Sequence, residues 1–429
     1  MPFGFIVMTV LTTSLAWASD DPTGHGSNRS MIYMLTMLGL ISGAYLITHF
    51  VLNRLQKRFL FISGVEYVLL GLVLSQSSVL PDLASLGAVI AFAAGWIGII
   101  RGMELEAGKI LKTTGYALRL SLITTLCTAG GVTAAAYLGL SELFSFSSDE
   151  AWLGAAALGC AASAGSSSAI KLLVDRYGAI EGGLLPLLGR SARFDDALAI
   201  LSFGVLMCVF HTGETLTQQP PTTSVWVLFT VLLGGSLGWL FAAFLAHDSS
   251  ENSRFLALVG ITAFASGAAF FLNLSILTVN LVLGMVLIST RHGRHVYDTL
   301  TGTTKPLSLI LLVFGGLLWQ PVDLIDGVIL SIGFLACRIL CRLIGGWVAS
   351  LGTPLRKDLY RGMFAQGHVA LAIGLTFQLV YDGPVVDLVF TAILVTVMFN
   401  EFIAPRLLKG LLVDAGDVRQ DVVIGRWVK

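Results

Sequence analysis

The stretch PLLGRSARFDDALAILSFGVLMCVF, residues 186–210, is apolar over most of its length, yet it carries Arg193-Phe194-Asp195-Asp196. A run of this size is long enough to cross a bilayer as a helix. A charged side chain near the middle of such a helix costs roughly 3 kcal/mol even on lenient scales, and such residues usually mark an ion or proton path. Two adjacent carboxylates also raise the energy of ionising both, so an Asp pair can hold a cation and a proton in turn. The plainer alternative is a pair bridged to Arg190 or Arg193 that only ties helices together. The position and cost of the pair favour a transporter.

Composition sets the class. Of 429 residues, 55% are hydrophobic and only 12% charged, whereas soluble domains run at about 25% charged. Repeated apolar runs near bilayer length make this an all-α polytopic membrane protein. Basic and acidic residues number 26 each and there is no basic arm, so nothing points to nucleic acid. The five cysteines fall inside the apolar segments without metal-type spacing and read as small packing residues. Enzyme motifs are missing: there is no phosphate loop, no H-E-x-x-H and no nucleophile elbow.

Residues 1–18 read as a signal peptide, with an apolar core at 5–15 and Ala16-Trp17-Ala18 as a cleavage signal, although the usual basic start is missing. The alternative is an uncleaved first helix. Thirteen membrane-spanning segments follow, near 31–51, 59–79, 83–103, 115–139, 151–174, 186–211, 223–246, 254–272, 275–290, 303–319, 324–350, 361–381 and 385–409. Lys and Arg occupy alternate loops: Arg54, Lys57 and Arg58, then Lys109 and Lys112, Arg176, Arg254, Arg291 and Arg294, and Arg356, Lys357 and Arg361. Positive loops face the cytoplasm, so the N-terminus is expected outside and the C-terminus inside. The expected location is a bacterial inner membrane.

Two segments depart from a plain apolar helix. Residues 161–168 read Ala-Ala-Ser-Ala-Gly-Ser-Ser-Ser, and residues 362–370 read Gly-Met-Phe-Ala-Gln-Gly-His-Val-Ala. Polar, Gly-containing interruptions at matching places in two halves point to an inverted repeat with its site at mid-membrane. The halves are the fourth to sixth and eleventh to thirteenth segments. The first interruption precedes the Asp pair; the second follows Arg338 and Arg342, which lie one turn apart on one helix face. Small residues packing helices together would be the simpler account of either interruption alone.

At these residues the chain resembles the monovalent cation/proton antiporter superfamily over roughly 31–415. Ser168-Ala169-Ile170-Lys171 through Tyr177-Gly178, then Gly182-Gly183-Leu184-Leu185 and Phe194-Asp195-Asp196-Ala197-Leu198-Ala199-Ile200, resemble its first broken helix, loop and aspartate helix. Arg342-Leu343-Ile344-Gly345 resembles its basic residue and following glycine. Ala365-Gln366-Gly367-His368-Val369-Ala370-Leu371 resembles the second broken helix, and Asn400-Glu401-Phe402-Ile403-Ala404-Pro405 the last helix.

The resemblance implies two crossed broken helices in a transport core, 115–211 and 324–410. That core would move as an elevator against a dimerisation domain, 31–103 and 254–319, with 223–246 as linker helix. It implies a homodimer in lipid and a monovalent cation, Na⁺ or K⁺, exchanged for protons without any cofactor. Asp196 takes the place of the essential ion-binding aspartate and Asp195 that of its variable neighbour. Arg342 takes the place of the basic residue that competes for the carboxylates.

Hard cations prefer oxygen ligands, so Ser163, Ser166 and broken-helix carbonyls are expected beside the aspartates. Ser163-Ala164-Gly165 stands where the family's threonine–proline would be, with Gly165 able to expose the same carbonyls, and Gly367 marks the second break. His368 replaces a carboxylate and titrates near neutrality when unperturbed. Arg338 is a second compensating arginine. Glu401 is expected to offset positive helix ends near the second break, and Glu66 to be a buried acid bonded to a neighbouring helix. The tail 411–429 is too short for a nucleotide-binding domain. Two rivals remain: a non-transporting sensor or effector that kept the fold, and a sodium-coupled solute symporter, for which no cluster of polar aromatics speaks.

Overall fold

The computed structural model describes residues 64–75, 83–105, 115–177, 183–212, 221–245, 251–290 and 293–417, and the structural statements below concern those residues. Fourteen α-helices and no strand occur among them. In chain order they are α1 (Val65–Ser75), α2 (Leu83–Met103), α3 (Gly115–Leu138), α4 (Ser148–Ser163) and α5 (Ser168–Tyr177). Next come α6 (Leu184–Val209), α7 (Thr223–Leu245), α8 (Glu251–Phe271), α9 (Ile276–Ile288) and α10 (Gly293–Thr301). The series ends with α11 (Thr304–Leu317), α12 (Leu324–Ser350), α13 (His368–Val380) and α14 (Pro384–Ala415).

Every predicted segment from the second onward falls on a helix. The first, near 31–51, lies outside the described residues, as do residues 1–18, Arg54, Lys57, Arg58, Lys109, Lys112, Arg291 and the chain beyond 417. By length and composition six helices suffice to cross a membrane, or seven if α10 and α11, bent by 54°, form one span. With 26 residues α6 is also long enough, but Arg190, Arg193, Asp195 and Asp196 lower its apolarity. Exposed Leu126, Trp239, Phe244, Leu256 and Phe271 give α3, α7 and α8 apolar outer faces suited to lipid.

The interior is built by close backbone approach. On α2, a Cβ at Gly102 would collide with the Leu281 carbonyl, and one at Gly284 of α9 with the Ile99 carbonyl. Only small residues permit such contact between helices in lipid. The arrangement buries α2 almost entirely and carries its last turn, with Arg101, into the middle of the molecule.

Both expected interruptions are real breaks. A capping box starts α4: Ser147 Oγ accepts from the Glu150 amide while the Glu150 carboxylate accepts from the Ser147 amide. The helix ends at Ser163, Ala164 turns out at φ −59°, ψ 134°, and helical structure resumes at Ser168. In the second case a 3₁₀ turn, Leu359–Gly362, leads through an extended stretch to α13. The two breaks touch, since a Cβ on Gly367 would stand 2.6 Å from Ser166 Oγ.

Candidate ion-binding site

A helix leaves its last four carbonyls without helical partners and its C-terminal end partially negative. At the end of α4 that negative end is buried and answered by side chains from across the molecule. Gln366 Nε2 donates to Ala161 O at 3.0 Å. Arg338 Nε donates to Ala162 O at 2.9 Å, its Nη2 to Ala164 O at 3.3 Å and its Nη1 to Phe364 O at 2.9 Å. Arg342 Nη2 reaches Ser163 O at 2.5 Å and Ala164 O at 3.3 Å.

The carbonyls expected to hold a cation are therefore occupied by two guanidinium groups, both fully buried. The reason is the same attraction: a helix C-terminus favours any cation, and arginine's planar fork suits several acceptors at once. Ser163 Oγ turns back to Cys160 O at 2.8 Å, so its hydroxyl bonds its own helix rather than an open site. Ser166 is buried beside Gly367.

The two aspartates are both about 1% exposed, and their surroundings differ sharply. Asp195 Oδ1 accepts from Ser121 Oγ at 2.5 Å and Thr125 Oγ1 at 3.2 Å, both on α3, and Oδ2 accepts from Arg342 Nη1 at 2.6 Å. Asp196 Oδ1 is buried without a hydrogen-bond partner, and Oδ2 has Arg101 Nε at 3.1 Å. That contact is one of charge rather than direction, because Arg101 Nε itself lacks an aligned acceptor. Asp195 has donors on both oxygens; Asp196 has one oxygen with no hydrogen-bond partner.

Arg101 was not singled out from the sequence. It ends an apolar helix 95 positions before its partner, and it is only 4% exposed. Besides Asp196 it touches Glu104 through Nη1 at 2.5 Å and His368 Nε2 through Nη2 at 2.7 Å. A guanidinium only donates, so His368 Nε2 accepts and the ring proton sits on Nδ1. Tyr297 donates to the other Glu104 oxygen over a long 3.5 Å. The available signal was an Arg and a Glu three residues apart at the end of a buried span, an unusual pair at that depth.

Other expected residues are placed as follows. Gly165 lies against α6, where a Cβ would stand 3.2 Å from Ala192 backbone atoms and from Asp195 Cβ. Arg190 and Arg193 are exposed, and Arg193 Nε bonds its own helix at Gly189 O, so neither bridges the aspartates. Glu401 does not reach the second break. Asn400 does, donating to Gln366 Oε1 at 3.0 Å. The Glu401 carboxylate instead packs on Gly64, whose amide bonds Glu66 Oε2 at 3.0 Å; Glu66 Oε1 and Glu401 Oε2 are buried without partners. One residue along a helix turns the side chain by about 100°, enough to swap these roles.

The centre thus gathers Arg101, Arg338 and Arg342 against Asp195, Asp196 and Glu104. A multi-pass, all-helical membrane protein with such a cluster where two helices break has the build of a cation/proton antiporter. The chain belongs to the sodium/hydrogen exchanger family: the model of that family's transmembrane domain matches residues 100–413. Among solved structures it is similar to the sodium proton antiporter MjNhaP1 from Methanocaldococcus jannaschii at pH 8. That likeness has a TM-score of 0.57 and 16% identity, over 89% of this chain and 99% of the other. An electron-microscopy map of the same antiporter gives a TM-score of 0.53 and 13% identity, over 89% and 97%. The search of curated proteins by sequence gives no match.

Proposed function

We propose that the protein exchanges a monovalent cation, Na⁺ or K⁺, for protons at Asp196. The observation that carries this reading is the difference between the two aspartates: Asp195 takes donors on both oxygens, one of them Arg342, while Asp196 keeps a whole oxygen, Oδ1, without a partner. Asp195, fixed by three donors, helps by holding α6 in register and adding negative potential. Cation and proton compete for Asp196, and that competition couples the two flows.

In this reading α3–α6 and α12–α14 form the transport core, which moves as an elevator against a dimerisation domain built from α1, α2 and α8–α11. The reading includes a homodimer in a bacterial inner membrane, and the loop charges favour a cytoplasmic C-terminus. A second reading, a non-transporting sensor, draws on one observation: Arg101 already stands on Asp196. Proton flux in proteoliposomes driven by Na⁺, K⁺ or Li⁺ gradients separates the two. Cation-dependent flux lost in Asp196→Asn supports exchange; no flux with any of the three ions from a folded protein removes it.

A further inference from the structure

The buried centre is balanced without an ion, with three arginines facing three carboxylates. A cation at Asp196 is unfavourable while a guanidinium stands beside that carboxylate. Arg338 and Arg342 cannot leave easily, since each holds carbonyls at the broken end of α4, and Arg342 also holds Asp195. Arg101 is different. It comes from α2, holds no broken-helix carbonyl, and bears on Asp196 by a contact without hydrogen-bond alignment.

Arg101 also has somewhere to go. Its Nη1 is already on Glu104 Oε2, one turn along the same stretch of chain. Its third neighbour, His368, accepts its proton as a neutral ring and opens α13 just after the second break.

We propose that Arg101 is a tethered competitor for the cation seat: it covers Asp196 when the seat is empty and retires onto Glu104 when a cation binds. Glu104 is then the parking carboxylate, and the exchange of partners leaves Asp196 facing one positive charge in place of another. This deepens the antiport reading and rests on Asp196 being the seat. It assigns the competition to an arginine on α2, whereas Arg342 is a fixed fastening for Asp195.

The test uses the full chain in nanodiscs, with Na⁺ and Li⁺ titrated at one fixed pH and dissociation constants read by calorimetry, alongside melting temperature and proteoliposome flux. Arg101→Gln removes the competitor and is expected to bind about tenfold tighter or more, the scale of one nearby opposite charge on a carboxylate. Arg101→Lys keeps a charge but not the three-way contact, and should tighten binding by less than Arg101→Gln does. Glu104→Gln removes the parking place and should weaken binding by about tenfold on the same scale. The Arg101→Gln, Glu104→Gln pair should behave as Arg101→Gln alone.

A purely structural ion pair would lower the melting temperature in both single variants without moving affinity in opposite directions. Should Arg101→Gln misfold, Glu104→Gln still decides, because unchanged or tighter binding there overturns the proposal. Flux in the unaltered protein with no tightening in a folded Arg101→Gln rejects the competitor and leaves antiport standing. No flux in the unaltered protein, with cation binding that appears only in Arg101→Gln, keeps the competitor and rejects antiport.

Discussion

Arg342 fastens Asp195 to the broken end of α4, with one guanidinium nitrogen 2.6 Å from the carboxylate and another 2.5 Å from the Ser163 carbonyl. Removing the arginine takes the counter-charge from a buried carboxylate and the side-chain donor from the Ser163 carbonyl, while Ala164 O keeps Arg338. Arg342→Ala should therefore lose roughly 3–5 kcal/mol of stability. Adding Asp195→Asn should restore part of it, since a neutral amide no longer needs a counter-charge. A double-mutant cycle on melting temperature at fixed pH and salt reads the coupling, and a value below about 0.5 kcal/mol would mean the pair is not energetically linked.

Asp196→Asn should behave in the opposite way. No aligned hydrogen bond to Asp196 is lost, and Arg101 keeps Glu104 as a partner. Melting temperature should change by the equivalent of less than about 1 kcal/mol, while cation-driven proton exchange disappears. Exchange near the unaltered level in a folded variant would take Asp196 out of the site.

Gly165→Ala tests the seat of the first break. Its Cβ would stand 3.2 Å from Ala192 backbone atoms and from Asp195 Cβ, so α6 must yield. The expected loss is about 1–3 kcal/mol, the usual scale of overpacking, together with weaker cation binding because Asp195 moves. A neutral result on both would place slack between the break and α6.

Glu401 and Glu66 carry buried oxygens without partners, and Glu401 packs on the start of α1. A buried acid with no counter-charge is a burden on the fold. Glu401→Gln should leave melting temperature unchanged or raise it. A clear drop would reveal a bond to the charged form.

Outside the membrane-spanning helices, Arg356 grips Asp358 with two nitrogens, at 2.9 and 3.0 Å, and holds that carboxyl below its ordinary range. A pKa lowered in the folded state means stability that is present above the unfolded value, near pH 3.9, and lost as pH falls through the folded one. The pair is partly exposed, so the contribution should stay below about 1 kcal/mol. Asp358→Asn should lower the melting temperature slightly at pH 7, and the difference should shrink as pH falls below about 4.

Apolar runs and small-residue interruptions announce themselves locally, which is why the helices and both breaks could be read from sequence. Arg342 was legible because its helix precedes the second break and a known pattern surrounds it. Arg101 was not, because nothing within its own helix says which distant helix it will meet. The division of labour between Asp195 and Asp196 also depends on Ser121 and Thr125 of α3, 74 and 70 positions away. Glu401 and Asn400 show a third kind of limit: periodicity places a helix face only to within a residue, and one residue decides which side chain reaches Gln366.

Arg338 works as a rivet. Its three bonds join Ala162 and Ala164 of the first break to Phe364 of the second, and no carboxylate distracts it. Pulling the breaks apart would strip acceptors from a sealed guanidinium, each bond worth about 1.5–3 kcal/mol. The two half-helices are thus stiffly coupled and must travel in unison. Under the proposed exchange, a movement that exposed the centre to one face and then the other would be absorbed at the seams around this unit, not by flexing inside it.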